Sequence, residues 1–282
     1  MTTRRFGVST HLYHAQRLQR AHLLEIAAHG FEAVEIFATR SHFDYHDPAV
    51  IEALETWLSD ARLELHSIHA PIVESFVNDK WGGAFSNATR DESARGRAIF
   101  ETQTALAIAR RIPTRFLVVH LGTPAAQQPR PDDNRPDAAR RSVEDIQRLA
   151  SPLGVHVALE VIPNDLSTAA ALVTLIEEEL ELPDVGICMD FGHGFLMGDL
   201  TDAIETASGH LMTTHVHDNH GKTDDHLMPF DGAIDWPSAL TAAQKIGYDD
   251  LFMLEVRNTS TPAACLEKAR GARRRLEGIL GA

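Results

Sequence analysis

Short β-rich runs alternate with amphipathic helical segments along the whole sequence, and that alternation restricts the fold more than any other feature. The predicted strands are 6–11, 33–38, 63–70, 116–122, 156–162, 185–190, 212–218 and 251–257. Between and after them the helical spacing predicts helices over 20–29, 48–60, 90–110, 136–150, 167–180, 200–208, 237–246 and 262–280. Asp47-Pro48, Arg135-Pro136 and Trp236-Pro237 each place a proline near a first helical turn, where its missing N–H costs nothing. Strand–helix alternation implies a parallel sheet covered by helices. Eight such units in 282 residues point to a closed (β/α)8 TIM barrel, which usually needs ~250 residues, rather than an open sheet. No GxGxxG follows the first strand and no GxxxxGK[ST] occurs, so nucleotide-binding folds lose their usual support. The longest irregular stretches, 72–87 and 122–135, both follow a strand, on the side of a barrel where active sites lie. Without a linker in view, the expectation is a single TIM-barrel domain over 1–282.

Composition narrows the class. With 44% hydrophobic and 23% charged residues the chain is that of a soluble globular protein. No apolar run approaches the ~20 residues of a membrane span, and two early arginines without an apolar stretch behind them do not make a secretory signal. Cys188 and Cys265 form no CxxC pair and no disulfide framework, so a reducing cytoplasm is the expected compartment. A formal net charge of −14 weighs against nucleic acid as a partner. Sixteen histidines are the more telling count, because imidazole is the commonest metal ligand among side chains.

Many of the ionisable residues fall at strand ends. The third strand ends at His69, the fourth at His120, the fifth at Glu160 and the sixth at Asp190, followed by His193. The seventh carries His215, His217 and Asp218, its loop adds Asp224 and His226, and the eighth ends at Glu255 and Arg257. Any one histidine here is easily a structural residue. Glu160 and Glu255, however, sit in the strongly apolar runs ALEVI and FMLEV. A buried carboxylate without a cation is costly or takes up a proton. Six successive strands presenting His, Asp or Glu at one rim are best explained together, by divalent metal. Imidazole and carboxylate without thiolate suit zinc or manganese first, with cobalt, iron and magnesium as the other ions to test. Cys188, two residues before Asp190 on the same strand face, is expected to fill the core.

The Asp190-Phe-Gly-His193 turn, the His215-Val-His-Asp-Asn segment, the Asp224-Asp-His226…Gly232 loop and the terminal Leu-Glu255-Val carry a resemblance. The chain resembles the xylose-isomerase-like TIM-barrel superfamily, which includes sugar-phosphate isomerases and epimerases and the metal-dependent AP endonucleases. By that resemblance a single ion would be held by Glu160, Asp190, His215 and Glu255, the two glutamates doubling as acid and base. The AP endonuclease branch uses three zinc ions, and its nine ligands find counterparts in His69, His120, Glu160, Asp190, His193, His215, Asp224, His226 and Glu255. Against a DNA enzyme, the segment after His69 reads Ala-Pro-Ile72-Val73 without an aromatic wedge, and no arginine stands near the second strand's rim before Arg40. The arginines at 270, 273, 274 and 275 fit a solvated helical face.

The expected function is therefore a divalent-metal-dependent sugar or polyol isomerase or epimerase working through a metal-stabilised enediolate. Glu160 and Glu255 would exchange the proton, and His193 or Arg257 would hydrogen-bond the developing oxyanion. His11, Glu35, His69, His120 and His217 are expected substrate contacts, with His217 also able to back a ligand from behind. The alternatives are a multi-zinc phosphodiesterase and a keto-sugar dehydratase or lyase. Trp81 and Phe85 mark a lid or a subunit contact of a homo-oligomer, and His66 is expected to be structural.

Overall fold

In the computed structural model, residues 5–281 are described; residues 1–4 and 282 of the expected span 1–282 lie outside the described residues. The barrel strands are β1 (Phe6–Ser9), β2 (Ala33–Phe37), β3 (Glu64–His69), β4 (Phe116–Val119), β5 (His156–Glu160), β6 (Val185–Asp190), β7 (Leu211–Val216) and β8 (Phe252–Leu254). They close in sequential order, β8 returning to β1, and every neighbouring pair is parallel. Around them run α1 (Arg20–Ala28), α2 (Pro48–Ala61), α3 (Glu92–Ala105), α4 (Pro136–Ala150), α5 (Ala169–Thr174), α6 (Phe191–Met197), α7 (Leu200–Thr206), α8 (Trp236–Lys245) and α9 (Pro262–Leu280). This is the (β/α)8 TIM barrel that the alternation predicts. No helix among the described residues is long and apolar enough to cross a membrane.

Local chemistry explains where the elements depart from expectation. The first strand stops at Ser9 rather than 11, because the Ser9 hydroxyl accepts the His11 amide at 3.3 Å and Thr10–Tyr13 turns into a 3-10 helix. The predicted helix 90–110 begins at Glu92, where Asp91 accepts the Ser93 and Ala94 amides at 2.9 and 3.1 Å. The predicted helix 167–180 starts behind Thr168 as a cap and widens over Leu175–Leu180 into a π-helical turn. Between the sixth strand and the predicted helix at 200, α6 is unpredicted; Asp190 starts it by accepting the His193 amide at 2.7 Å. Inside the irregular stretch 72–87 lies a small antiparallel hairpin, Phe76–Val77 with Lys80–Trp81.

Period two along each strand sends alternate residues into the barrel. Val118, Ala158 and Cys188 pack together directly below the rim, so Cys188 fills the core as expected; its thiol is pushed up by burial. Above that layer the same faces present His120, Glu160 and Asp190, which fixes the position of the site.

Candidate metal centre

Ten side chains at the C-terminal rim fall into three adjoining groups whose candidate ligand atoms lie within 4.8 Å of one another. The first is His69, His120 and Glu160; the second Glu160, Asp190, His215 and Glu255; the third His193, His217, Asp224 and His226. Glu160 belongs to two groups, its Oε2 lying 3.2 Å from His69 Nε2 and 3.0 Å from His120 Nε2. Its Oε1 lies 3.2 Å from His215 Nδ1 and 3.6 Å from His193 Nδ1. Asp190 joins the second group to the third, 3.0 Å from His217 Nε2 and 3.4 Å from His193 Nδ1.

Several rings are turned by backbone carbonyls behind them. His69 Nδ1 lies 2.9 Å from the Ala70 carbonyl, His226 Nδ1 2.9 Å from that of Glu255 and His193 Nδ1 3.2 Å from that of Val161. Nε2 of His69 then faces Glu160, and Nε2 of His193 and of His226 faces Asp224, the orientation by which metal-binding histidines are commonly held. Two devices build the third group. Asp218 is fully buried and accepts the Phe230 and Ile234 amides (2.9 and 3.1 Å) and the Trp236 indole N–H (2.9 Å), tying down the loop that carries Asp224 and His226. Gly192 leaves room for the His217 ring, which a Cβ there would meet at 2.0 Å.

These residues fit divalent metal on grounds of their own. Glu35, Glu160, Asp190 and Glu255 are all buried carboxylates, a costly arrangement without compensating positive charge. Glu160 Oε2 and His120 Nε2, though close, are both buried without an aligned hydrogen-bond partner. That is how two donors aimed at a shared ion stand. Ligand atoms around a tetrahedral zinc with ~2.1 Å bonds sit roughly 3.4 Å apart, close to the separations above.

Without metal, the same contacts make ion pairs. Burial alone would lower the pKa of His69, but Glu160, Glu35 and Glu255 outweigh it and lift it to about 9. Burial is likewise overcome at His226 by Asp224 and Glu255, again to about 9. A histidine raised above its ordinary value of 6.5 stabilises the fold fully below that pH and loses the contribution as pH rises through the folded value. Metal-free protein is therefore expected to lose thermal stability between about pH 6.5 and 9. Loaded protein should lack this loss, because ligation needs deprotonated imidazole. Melting temperatures with and without chelator across that range check both.

Above the centre opens a cavity of ≈ 580 Å³. Its floor is His69, His120, Glu160, His193, Asp224, His226 and Glu255; one wall is Phe37, Ile72, Val73, Phe76 and Trp81, with His11 and His14 between. Trp81 stacks on His14 at 5.1 Å, and His14 on His11 at 4.8 Å. Burial pushes both histidines down, His11 well below its ordinary value, so they face the cavity uncharged near neutral pH. Arg257 is exposed at the mouth and is the one Lys or Arg among the lining residues. Phe85 does not line the cavity. His66 is buried in β3 with Nε2 3.1 Å from the Thr213 hydroxyl, a structural position. A second cleft, ≈ 490 Å³, lies at the opposite end of the barrel, where Arg115 and Asp250 already pair at 2.6 Å.

Three of the expected residues stand apart by position. Glu35 does not reach the cavity and lies fully buried beneath His215. His217 is also enclosed below the cavity and faces Asp190 within the third group, so it is a candidate ligand rather than a substrate contact. His193 has its ring nitrogens at the Val161 carbonyl and Asp224 Oδ2 (3.1 Å), leaving no N–H for a substrate oxyanion. His11, His69, His120, Glu160, His193, Glu255 and Arg257 line the cavity. Asp218 escaped notice as a loop anchor, since its partners Phe230, Ile234 and Trp236 lie 12 to 18 residues away.

Residues 23–279 match the family model described as a xylose isomerase-like TIM barrel. The chain is 23% identical to an inosose isomerase of Bacillus velezensis, over 76% of this chain and 79% of that one. Two solved structures share the fold. One is a D-tagatose 3-epimerase-like protein (TM-score 0.79, 23% identity, covering 98% of this chain and 97% of that one). The other is the IolI protein with a bound zinc atom (TM-score 0.77, 17% identity, covering 97% and 98%).

Proposed function

Because the chain belongs to the xylose isomerase-like TIM-barrel family, we propose that it is a divalent-metal-dependent isomerase or epimerase of a sugar or polyol. The observation that carries this reading is the pair Glu160 and Glu255. Both carboxylates line the cavity floor from β5 and the end of β8, and both belong to the ligand group completed by Asp190 and His215. A divalent ion held there would polarise a carbonyl and an adjacent hydroxyl of the substrate and stabilise charge developing beside them. One glutamate removes the proton from the carbon next to the carbonyl, and the other returns it. Arg257 at the mouth donates to substrate oxygens, while Phe76 and Trp81 cover the apolar face of the substrate and exclude water. A cavity of ≈ 580 Å³ suits a small molecule, and the same groups serve dehydration of a keto sugar.

A second reading, a multi-metal phosphodiesterase, is favoured by one specific observation: two further ligand groups adjoin the first and share Glu160 and the neighbourhood of Asp190. Metals a few Å apart suit clamping a phosphodiester and activating water. A panel of ketoses, inososes and polyols beside phosphodiesters and abasic DNA, assayed on metal-loaded protein, separates the readings. Isomerisation supports the first; phosphodiester cleavage without isomerisation replaces it with the second.

A further inference from the structure

Glu35 is a fully buried carboxylate that reaches neither the cavity nor the surface. Its Oε2 lies 2.9 Å from His215 Nε2 and accepts the Ser67 hydroxyl at 2.8 Å, while Oε1 has no partner. A carboxylate enclosed with so few partners is costly to keep. The other face of the His215 ring explains it. Nδ1 stands 3.2 Å from Glu160 Oε1, 3.5 Å from Glu255 Oε2 and 4.0 Å from Asp190 Oδ2. A neutral imidazole has one N–H and one lone pair, and the group at one nitrogen decides which the other presents.

We propose that Glu35 is the positioning residue of the metal centre: it accepts the Nε2 proton of His215 and so presents Nδ1 as a lone pair to the site shared with Glu160, Asp190 and Glu255. The local structure is built for this. The β2–β3 ladder shifts register between Val34 and Glu35, which sets Glu35 opposite Ser67. Such bulges re-aim side chains near active sites, and the Ser67 hydroxyl then holds the carboxylate rotamer. His69, His193 and His226 each have Nδ1 set against a backbone carbonyl. His215 is turned the other way, Nδ1 inward, and uses a carboxylate behind it. A carboxylate also raises the basicity of the ring as a ligand.

The inference rests on the site's being a metal centre, and one experiment tests the two separately. Full-length protein, stripped with chelator, is titrated with Co(II). Its visible ligand-field absorption reports geometry, and chelator competition reports affinity. Glu35→Gln keeps the volume and is expected to weaken Co(II) at one site by about 10- to 100-fold and to move its absorption band. Ser67→Ala should weaken the same site by about fivefold, the loss of one hydrogen bond, and carries the test if Glu35→Gln does not fold. Wild-type affinity and an unchanged spectrum in the folded variants would overturn the inference, even if melting temperature fell. Wild-type protein that binds no Co(II) would overturn the metal reading and this inference with it.

Discussion

Glu160→Gln is expected to lower turnover by about 10³-fold, within the range that a positioned acid or base contributes, while the barrel stays folded. One carboxylate here faces four imidazoles: His69 and His120 from Oε2, His215 and His193 from Oε1. An amide of the same shape turns an N–H₂ toward at least one of those pairs and carries no charge, so it neither holds an ion nor accepts a proton. The fold survives because the β5 ladder is made by backbone groups and the volume is unchanged. Glu255→Gln should behave alike, since Glu255 opens to the same cavity floor and lies 3.5 Å from His215 Nδ1. Steady-state kinetics beside far-UV circular dichroism check both. Two folded variants retaining most of their activity would remove these glutamates from the mechanism.

The second large effect is on stability. Stripping the metal leaves Glu160, Asp190 and Glu255 buried together, answered only by imidazoles that must take up protons to compensate. An ion present at 1,000 times its dissociation constant stabilises the folded state by about 4 kcal/mol. For a chain of this size each kcal/mol moves the melting temperature by roughly 2–4 °C, so chelation should lower it by roughly 8–16 °C. Adding back zinc or manganese should restore it. His69→Ala and His120→Ala refine the result. If the first group holds an ion of its own, each variant loses about one ion per chain and part of the stabilisation. With a single ion in the second group, they leave the metal in place and alter substrate affinity. Calorimetry with metal analysis on the same samples reads both.

The barrel was legible because its cause is local: β-branched runs with period two and helical runs with period near 3.6 recur eight times over. That the ionisable residues share one rim was legible for the same reason, since parallel strands all end on one side. Glu160 inside ALEVI gave the clearest signal, a charge where only apolar residues belong. Depth within the barrel was not legible. Period two assigns a face, but it does not say how far below the rim a side chain lies, and so Glu35 and His217, expected as substrate contacts, are buried outside the cavity lining. A histidine's hydrogen-bond partners are equally hidden when they come from a distant part of the chain, as the Val161 carbonyl and Asp224 do for His193. The loop holding Asp224 and His226 depends on Asp218, whose three hydrogen bonds to Phe230, Ile234 and Trp236 span 12 to 18 residues and so leave no local signal.

Metal stoichiometry tests the central claim most directly. Elemental mass spectrometry on protein purified without a histidine tag is predicted to find at least one divalent zinc or manganese ion per chain. One ion would place it in the group Glu160, Asp190, His215 and Glu255; two or three would fill the adjoining groups and raise phosphodiesters among the substrates to test. No metal, even after incubation with zinc and manganese, would contradict the account.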